Sequence, residues 1–238
     1  MNEGDTTESG HPLDCSTPDP QGLFWHPWPC PACRKRLSPI GYLIGRHEAS
    51  PPFRKDSHEA ITAIETSALL EWVKSCPHVG PKVLHLPKIS EGSEHLVFLD
   101  ETNSMVLKKT REGLFGESYF MRGQKVHQKP CTPIEYLIRL RLWHKLFGSA
   151  PETMGITPSG QIISRHKFMV GNLPSQKKVD LFLESMGMTA VKKSCWLWKK
   201  SYPSDQIEIW PGDARADNFV DCLNEIVPID IRLWLLQT

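Results

Sequence analysis

An asparagine and two aspartates near the end of the chain have types and spacing that suit a magnesium-bound phosphate ester. Asp213 and Asn218 stand five residues apart in a polar segment that follows a strand-like run, and Asp230 comes twelve residues later. One aspartate can orient a hydroxyl group, while asparagine and aspartate oxygens can share Mg²⁺ ions that also contact phosphate. Asp and Asn residues also favour ordinary turns, so the interval to Asp230 is the feature that favours a site.

A lysine and a glutamate occupy positions that a packed fold usually fills with apolar side chains. Lys108 ends an apolar, strand-like run. Glu135 falls on one stripe of a predicted helix, at three- and four-residue steps from Ile138, Leu142 and Leu146. Because a carboxylate that faces a core requires a cation, we expect Lys108 and Glu135 to pair. Taken alone, the pair could equally be an ordinary structural ion pair.

The elements that must position these residues alternate between helical and strand-like patterns. We predict helices at Asp56–Ser75, from Thr132 (as N-cap) to Gly148, and from Pro174 to Met186. We predict a long loop over Thr110–Cys131 and short strands at Val83–Leu86, Leu96–Leu99, Met105–Lys108, Ile162–Ser164, Trp196–Lys199, Ile207–Trp210 and Glu225–Val227. Strands first and mixed elements later indicate an α+β fold with two lobes.

Composition divides the 238 residues into three parts. Residues 1–22 are rich in Gly, Ser, Thr, Pro and acidic residues, and we expect a disordered tail there. Residues 23–55 hold a cysteine pair among prolines and aromatic residues, and we expect a small appended extension. The main domain is predicted over residues 56–238.

Charge and cysteine content exclude several classes of protein. A net charge of +1 excludes binding to nucleic acid or to a membrane by bulk electrostatics alone. No apolar run approaches the roughly 18 residues that span a bilayer, and the N-terminal segment lacks the features of a secretory signal. The seven cysteines are scattered and odd in number, which favours reduced thiols and a cytoplasmic location.

The order of a strand lysine, a helix glutamate, Asp-x4-Asn and a later aspartate resembles the protein-kinase fold. The Gly-Asp-x4-Asn form is similar to that of aminoglycoside phosphotransferases. More narrowly, the chain resembles the kinase-like domains of bacterial and phage polyvalent proteins, which are proteins of mobile elements. The phrases that carry this resemblance lie within about residues 83 to 232, and they are Gly92–His95, Val106–Lys108, Gly113–Gly116, Thr132–Leu137, Asp213–Val220 and Pro228–Asp230.

The resemblance implies a minimal two-lobed kinase-like fold with a short C-terminal lobe and a small N-terminal extension. The N-terminal lobe would cover about residues 83–165 and the C-terminal lobe about residues 166–238. The implied reaction is Mg²⁺-dependent transfer of the ATP γ-phosphoryl group to a hydroxyl of an unidentified protein or small molecule. We expect neither a membrane nor a nucleic acid as partner.

The resemblance also implies a role for each matching residue. Lys108 would hold the α- and β-phosphates and pair with Glu135, and Asp213 would be the catalytic base or would orient the acceptor hydroxyl. Asn218 and Asp230 would hold Mg²⁺. The remaining nucleotide contacts would come from a turn that covers the phosphates and from a hinge that contacts adenine, and these residues are Gly92, Ser93, Arg165 and His166.

Two other functions are open at this point. Ile-Arg follows Asp230, and Pro211 stands where kinases commonly have a histidine, which favours a pseudokinase-type module that binds a partner protein. His26, Cys30 and Cys33 form a His-x3-Cys-x2-Cys pattern, which is half of a zinc site and favours a zinc-knuckle protein that binds nucleic acid. The plainer interpretation of that pattern is a pair of reduced thiols in a proline-rich loop.

Overall fold

The computed structural model describes residues 58–75, 85–122, 125–149, 151–192, 196–223 and 225–237. Within these ranges the chain forms three α-helices and thirteen β-strands, so the fold is α+β, as the sequence predicts. The predicted tail at 1–22 and the extension at 23–55, with His26, Cys30 and Cys33, lie outside the described residues.

The helices and strands follow one another along the described chain with short connections. The helices are α1 (His58–Ser75), α2 (Pro133–Phe147) and α3 (Gln176–Ser185). The strands are β1 (Lys88–Glu91), β2 (His95–Asp100), β3 (Met105–Thr110), β4 (Glu117–Arg122), β5 (Lys125–Pro130), β6 (Glu152–Ile156), β7 (Ile162–Lys167), β8 (Thr189–Lys192), β9 (Leu197–Tyr202), β10 (Ile207–Gly212), β11 (Phe219–Cys222), β12 (Glu225–Pro228) and β13 (Arg232–Gln237).

A five-stranded antiparallel sheet, in the order β1-β2-β3-β7-β6, organises the first half of the described chain. Lys108 lies near the middle of this sheet, between Val97 of β2 and Ser164 of β7. The strands predicted around Leu96–Leu99, Met105–Lys108 and Ile162–Ser164 are confirmed. For His85 and Leu86, the described half of the strand predicted at Val83–Leu86, the prediction was wrong, because the first strand within the described ranges begins at Lys88.

Helix α2 joins this sheet to the second half of the molecule. Tyr136 and Leu137 share a core with α1 and with β6 and β7. Trp143 and Leu146, further along the helix, belong to the core of the second half, together with α3. That half contains the four-stranded sheet β13-β10-β9-β8 and the small hairpin β11–β12. One helix therefore contributes side chains to both cores.

The ends of α2 follow from local sequence. The Thr132 side chain accepts a hydrogen bond from the backbone N–H of Glu135, and the Glu135 carboxylate accepts one from the backbone N–H of Thr132 at 3.0 Å. This reciprocal arrangement satisfies two of the N–H groups that a helix start leaves without a partner. Gly148 follows the last turn with a φ of 71°, a left-handed conformation that glycine adopts without strain. The predicted start and end of this helix are confirmed.

A hairpin, β4–β5, occupies the segment for which the sequence predicts a loop over Thr110–Cys131. The ring of Tyr119 packs edge-on against the ring of Trp234 in β13, with centroids 3.9 Å apart. The indole N–H of Trp234 donates to the backbone oxygen of Glu117 at 3.1 Å. The loop prediction was wrong because the partner of the hairpin, β13, is 117 residues away, and local sequence pattern does not report such a contact.

The described helices carry charged residues along their length. The longest, α1, has 18 residues and includes Glu59, Glu65 and Glu71. Within the described ranges, no helix is both long and apolar enough to cross a membrane.

Candidate functional site

Lys108 of β3 contacts the segment that precedes β13. Its Nζ donates to Oδ1 of Asp230 at 2.7 Å and to the backbone oxygen of Ile229 at 2.9 Å. The Lys108 side chain is 13% exposed, whereas the Asp230 side chain is 58% exposed. Desolvation acts to raise the pKa of Asp230, but the charge and hydrogen bond of Lys108 outweigh it and hold that pKa below its ordinary value. The structure thus brings two predicted site residues into direct contact.

Asn218 holds Asp230 in place through its backbone. Its carbonyl oxygen accepts hydrogen bonds from the N–H groups of Ile229 at 2.8 Å and Asp230 at 3.3 Å. Its side-chain Nδ2 donates to the backbone oxygen of Asp213 at 2.6 Å. Asn218 is itself buried. Asp213, Asn218 and Asp230 are therefore linked into a single hydrogen-bonded unit.

Asp213 follows β10 in a left-handed conformation, with a φ of 56°. Such a backbone is uncommon outside glycine, although aspartate tolerates it better than most residues. Its Oδ1 accepts a hydrogen bond from Nε of Arg215 at 2.9 Å, and both side chains are partly exposed. The carboxylate is therefore at the surface of the unit, paired with a cation that solvent can reach.

Asn218 and Asp230 supply oxygen atoms of the kind that Mg²⁺ prefers. Nδ2 of Asn218 and Oδ1 of Asp230 already form hydrogen bonds within the protein. The other side-chain oxygens, Oδ1 of Asn218 and Oδ2 of Asp230, are the potential ligands. No group of three or more His, Cys, Asp or Glu residues gathers within the described ranges. Mg²⁺ at phosphate sites usually takes one or two carboxylates and completes its coordination with phosphate and water. By donor type, these two side chains match the Mg²⁺ ligands that the resemblance implies.

Glu135 does not pair with Lys108, so the predicted ion pair was wrong. Its Oε1 accepts a hydrogen bond from Lys129 of β5 at 2.5 Å, and its Oε2 caps the start of its own helix at Thr132. The first turn of α2 lies against the β4–β5 hairpin, so Lys129 is the cation that it meets. The carboxylate has a cation, as its place on the apolar stripe requires, but it takes no part in the Lys108–Asp230 contact.

A different charged residue of α2, Arg139, reaches the region around Lys108. Its guanidinium contacts the carboxylate of Glu94, in the turn between β1 and β2, and lies 4.7 Å from the ring centroid of Tyr136. The Arg139 and Glu94 side chains are 5% and 10% exposed. Arg232 of β13 approaches the same carboxylate, with its Nε 3.8 Å from Oε2 of Glu94. This buried ion pair joins the turn to the helix.

Glu94, Arg139 and Arg232 also border the Lys108–Asp230 contact, although the sequence singles out none of them. In the run Arg139-Leu-Arg141 the two arginines look alike, yet Arg141 is exposed and Arg139 is buried. The available signal is helical spacing, since Arg139 stands three residues after Tyr136 and four before Trp143, both of which are buried.

A cavity of about 30 Å³ lies beside the Lys108–Asp230 contact. Arg139, His166 and Arg232 contribute to its walls. A space of this size holds one or two water molecules. The cavity is therefore too small for a phosphate group in this arrangement of side chains.

A buried hydrogen bond between His95 and Tyr136 underlies this cavity. Nε2 of His95 and the hydroxyl of Tyr136 are 2.9 Å apart. Burial lowers the pKa of His95 to about 4, so its ring is neutral at neutral pH. Burial also raises the pKa of the Tyr136 hydroxyl above its ordinary value. Both groups are thus uncharged, and neither adds charge to the cluster around Lys108.

Gly92 and Ser93, the residues expected to cover phosphates, lie in the exposed turn between β1 and β2. The Gly92 N–H donates to the backbone oxygen of His95 at 2.9 Å, and Nε of Arg111 donates to the Gly92 oxygen at 2.9 Å. Ser93 lines a second cavity, of about 360 Å³, between this turn and the β4–β5 hairpin. The turn is therefore firmly held, and Ser93 faces the hairpin.

Arg165 and His166, the residues expected to contact a base, lie at the end of β7. Both line a third cavity of about 270 Å³, whose apolar walls include Met105, Met169 and Pro228. This volume is near the lower end of the range for small-molecule sites, about 300 to 1,000 Å³. His166 also borders the small cavity beside Lys108, so the two cavities share a wall.

The ring nitrogens of His166 have distinct roles. Nδ1 lies 3.1 Å from the backbone oxygen of Lys167, which can only accept, so Nδ1 carries the proton. Burial lowers the pKa of His166 to about 4, and the neighbouring charge of Lys108 acts in the same direction. In the neutral ring Nε2 is consequently an acceptor, and it is buried without a hydrogen-bond partner among the described residues.

Comparison with known proteins adds nothing to this geometry. No protein-family model, no curated protein and no solved structure matches the chain. The function must therefore be argued from the site.

Proposed function

We propose that the protein is a kinase-like phosphotransferase, which moves the γ-phosphoryl group of Mg²⁺-bound ATP to a hydroxyl group of a protein or small molecule. The observation that carries the proposal is the 2.7 Å contact of Lys108 with Asp230, beside which Asn218 is fixed. In protein kinases a strand lysine contacts the phosphates, and a later asparagine and aspartate hold the metal ions. A relationship to the kinase-like domains of polyvalent proteins and a cytoplasmic location are parts of the same proposal.

The arrangement of elements supports a two-lobed kinase-like fold. Lys108 is on the third strand of an antiparallel sheet, and the next helix, α2, packs beside it. Asp213 and Asn218 follow β10, and Asp230 follows the short hairpin β11–β12. The lobes would meet near residue 166, where β7 ends and the second half of the chain begins.

Each residue has a role that its contacts allow. The Lys108 ammonium would bind phosphate oxygens in exchange for part of its contact with Asp230. The Asp213 carboxylate would leave Arg215 to accept the hydrogen bond of the acceptor hydroxyl and orient it. Asn218 and Asp230 would hold Mg²⁺, which, when bound, neutralises charge on the phosphoryl group. Positioning and charge neutralisation therefore supply most of the catalysis.

The cavity of about 270 Å³ at the end of β7 is the place that suits the base of the nucleotide. Its walls are largely apolar, and it shares His166 with the small cavity beside Lys108. A flat apolar base and a charged phosphate chain require adjoining apolar and cationic regions. This juxtaposition favours a nucleotide over a simple phosphate ester.

The test is a calorimetric titration of ATP into the wild type and into Asp230→Asn, each with and without Mg²⁺. We expect metal-dependent binding that is lost, by at least about tenfold in affinity, in the variant. Asp217→Asn is the matched control, because Asp217 is an exposed aspartate next to Asn218, and this variant should bind ATP like the wild type. Equal binding by the wild type and Asp230→Asn would refute the assignment.

A pseudokinase-type module that binds a partner protein is the second candidate, and the charge pairing within the site favours it. Lys108 is already paired with Asp230 and Asp213 with Arg215, so the charges of the site are satisfied within the chain. This candidate predicts no Mg²⁺-dependent affinity for ATP and no phosphoryl transfer. The same titration therefore separates the two functions.

The zinc-knuckle alternative rests on His26, Cys30 and Cys33, which lie outside the described residues. It remains a prediction with its own measurement. Purified protein should contain about one equivalent of zinc if these residues hold the metal. Steep salt dependence of nucleic-acid binding would be the second sign of that function.

A further inference from the structure

Three cations and three carboxylates meet at the junction of the sheet, α2, β13 and the β4–β5 hairpin. Lys108 pairs with Asp230, and Arg139 pairs with Glu94. Arg232 pairs with Glu117 of the hairpin at 2.5 Å and approaches Glu94, and it borders both the small cavity and the larger cavity at the hairpin. The cations come from separate elements and converge on one small space, which is how proteins build sites for anionic oxygens.

Arg139 has unused capacity to donate hydrogen bonds into this space. Its side chain is 5% exposed, and Nη1 is buried without a hydrogen-bond partner among the described residues. Burial lowers the pKa of Arg139 to about 9, so the group is still a cation at neutral pH. A buried guanidinium with an unfilled donor gains more from an added anionic oxygen than an exposed one does.

We propose that Arg139, Arg232 and Lys108 form a binding site for phosphoryl oxygens, and that the carboxylate of Glu94 occupies the Arg139 side of it in this structure. The inference rests on the proposed function for the identity of the ligand as a nucleotide. It adds two arginines that the kinase resemblance does not assign. It also adds an internal anion that a phosphorylated ligand must displace.

The structure contains space for the Glu94 side chain when a phosphate replaces it beside Arg139. The cavity of about 360 Å³ lies on its other side, between the β1–β2 turn and the hairpin, and Lys129 lines it. The backbone of the turn is held by the Arg111 N–H, which donates to the Glu94 oxygen at 3.1 Å. A rotation of the Glu94 side chain would carry its carboxylate into this cavity, where it would meet Arg232 and Lys129, the latter already paired with Glu135.

The fit of Glu94 in its present place depends on Gly116. A Cβ atom at position 116 would lie 2.2 Å from Cδ of Glu94, so only glycine leaves room for the carboxylate. Gly116 also has a φ of 79°, which disfavours other residues. Gly116, the last residue of the phrase Gly113–Gly116, thus leaves room for the carboxylate of Glu94 beside Arg139.

Because Glu94 and the ligand would compete for Arg139, a substitution that removes the Glu94 charge is expected to raise the affinity for the ligand. Glu94→Gln removes the internal anion and leaves Arg139 with an uncompensated buried charge. A phosphate ligand should then bind more tightly than it binds to the wild type. If Glu94 merely held the turn in place for binding, the same substitution would weaken the affinity.

The experiment titrates inorganic pyrophosphate, and separately Mg²⁺-ATP, into the wild type, Glu94→Gln, and the double variant Glu94→Gln/Arg139→Gln. We expect pyrophosphate to bind Glu94→Gln at least about tenfold more tightly than the wild type. The double variant, in which the cluster is again neutral, should lose that gain. Glu91→Gln is the matched control, because Glu91 is an exposed glutamate at the end of β1, beside the same turn, and it pairs with Lys88 and Arg111.

Unchanged or weaker pyrophosphate binding by Glu94→Gln would overturn the proposal, as would a gain that the double variant keeps. Glu94→Asp is the second variant if Glu94→Gln does not fold, because it keeps the charge but withdraws it from Arg139, and a smaller gain is expected. Tighter pyrophosphate binding without any binding of Mg²⁺-ATP would support the anion site and refute the proposed nucleotide function. The two proposals therefore fail separately.

Discussion

Glu135 of α2 and Lys129 of β5 form an ion pair at 2.5 Å, and Lys108 is not part of it. The glutamate that the family resemblance places in the nucleotide site instead fastens the start of α2 to the β4–β5 hairpin. The charge that α2 directs toward Lys108 and Asp230 is positive and comes from Arg139. The side-chain charge that α2 contributes near Lys108 is therefore opposite in sign to the charge expected from the kinase pattern.

Glu135→Ala should lower stability and leave nucleotide affinity unchanged. The substitution removes both the helix cap at Thr132 and the contact with Lys129, with an expected loss of about 1 kcal/mol in the free energy of unfolding. Glu135→Gln is the matched control, since glutamine keeps the cap and should lose less. Urea denaturation and ATP titration of both variants supply the measurements. A clear loss of ATP affinity in Glu135→Gln would show that Glu135 acts in the site after all.

Lys108→Met should weaken the binding of Mg²⁺-ATP by at least about tenfold, with a nearly unchanged melting temperature. The ammonium is the only group of β3 that contacts Asp230, and that carboxylate is exposed enough to be hydrated once Lys108 is gone. Lys109→Met is the control, because Lys109 is the next residue and lies instead over the ring of Phe98. A large loss of stability with unchanged affinity would mean that Lys108 and Asp230 are a structural pair.

Asp213→Asn should slow phosphoryl transfer by about 10² to 10⁴ and leave ATP affinity near that of the wild type. The proposed role of Asp213 is to orient the acceptor hydroxyl, so its loss affects the reaction step more than nucleotide binding. Turnover can be followed as ADP release once an acceptor is found, or as ATP hydrolysis without one. Asp217→Asn should retain full activity, and comparable slowing by both substitutions would argue for a disturbed loop.

The parts of the fold that depend on local sequence could be predicted. The Thr132 cap, the glycine end of α2 at Gly148 and the strand that carries Lys108 all follow from short-range preferences. The proximity of Lys108, Asn218 and Asp230 could be predicted as well, although through a resemblance of order along the chain. The order of these residues along the chain does not predict how they are hydrogen-bonded to one another.

The parts that depend on distant contacts could not be predicted. The β4–β5 hairpin is stabilised by Trp234, and the buried Arg139 pairs with Glu94, which comes from the turn between β1 and β2. A charged side chain looks like a surface residue until its partner is known. For the same reason the sequence predicts a pair between Lys108 and Glu135, since each requires an opposite charge. In the structure Lys108 pairs with Asp230, and Glu135 pairs with Lys129.

Stability should fall as the pH drops from about 6.5 to about 4, in part because His95 is buried and neutral. Its pKa is about 4 in the folded protein and about 6.5 when unfolded, so the unfolded chain takes up a proton in this window and the folded protein does not. The expected slope is about 1.4 kcal/mol per pH unit for one histidine. His166, whose pKa burial also lowers to about 4, acts in the same sense.

Urea unfolding at several pH values, for the wild type and for His95→Gln, isolates the contribution of His95. Glutamine can still hydrogen-bond to the Tyr136 hydroxyl but does not titrate, so the variant should show a shallower decline below pH 6.5. His144→Gln is the control for the replacement of a histidine as such, because His144 is an exposed histidine of α2. Since the folded-state pKa of His95 is depressed, its contribution is complete above pH 6.5 and is lost as the pH falls toward 4. Equal slopes for the wild type and His95→Gln would mean that the ring is protonated, or accessible to water, in the folded protein.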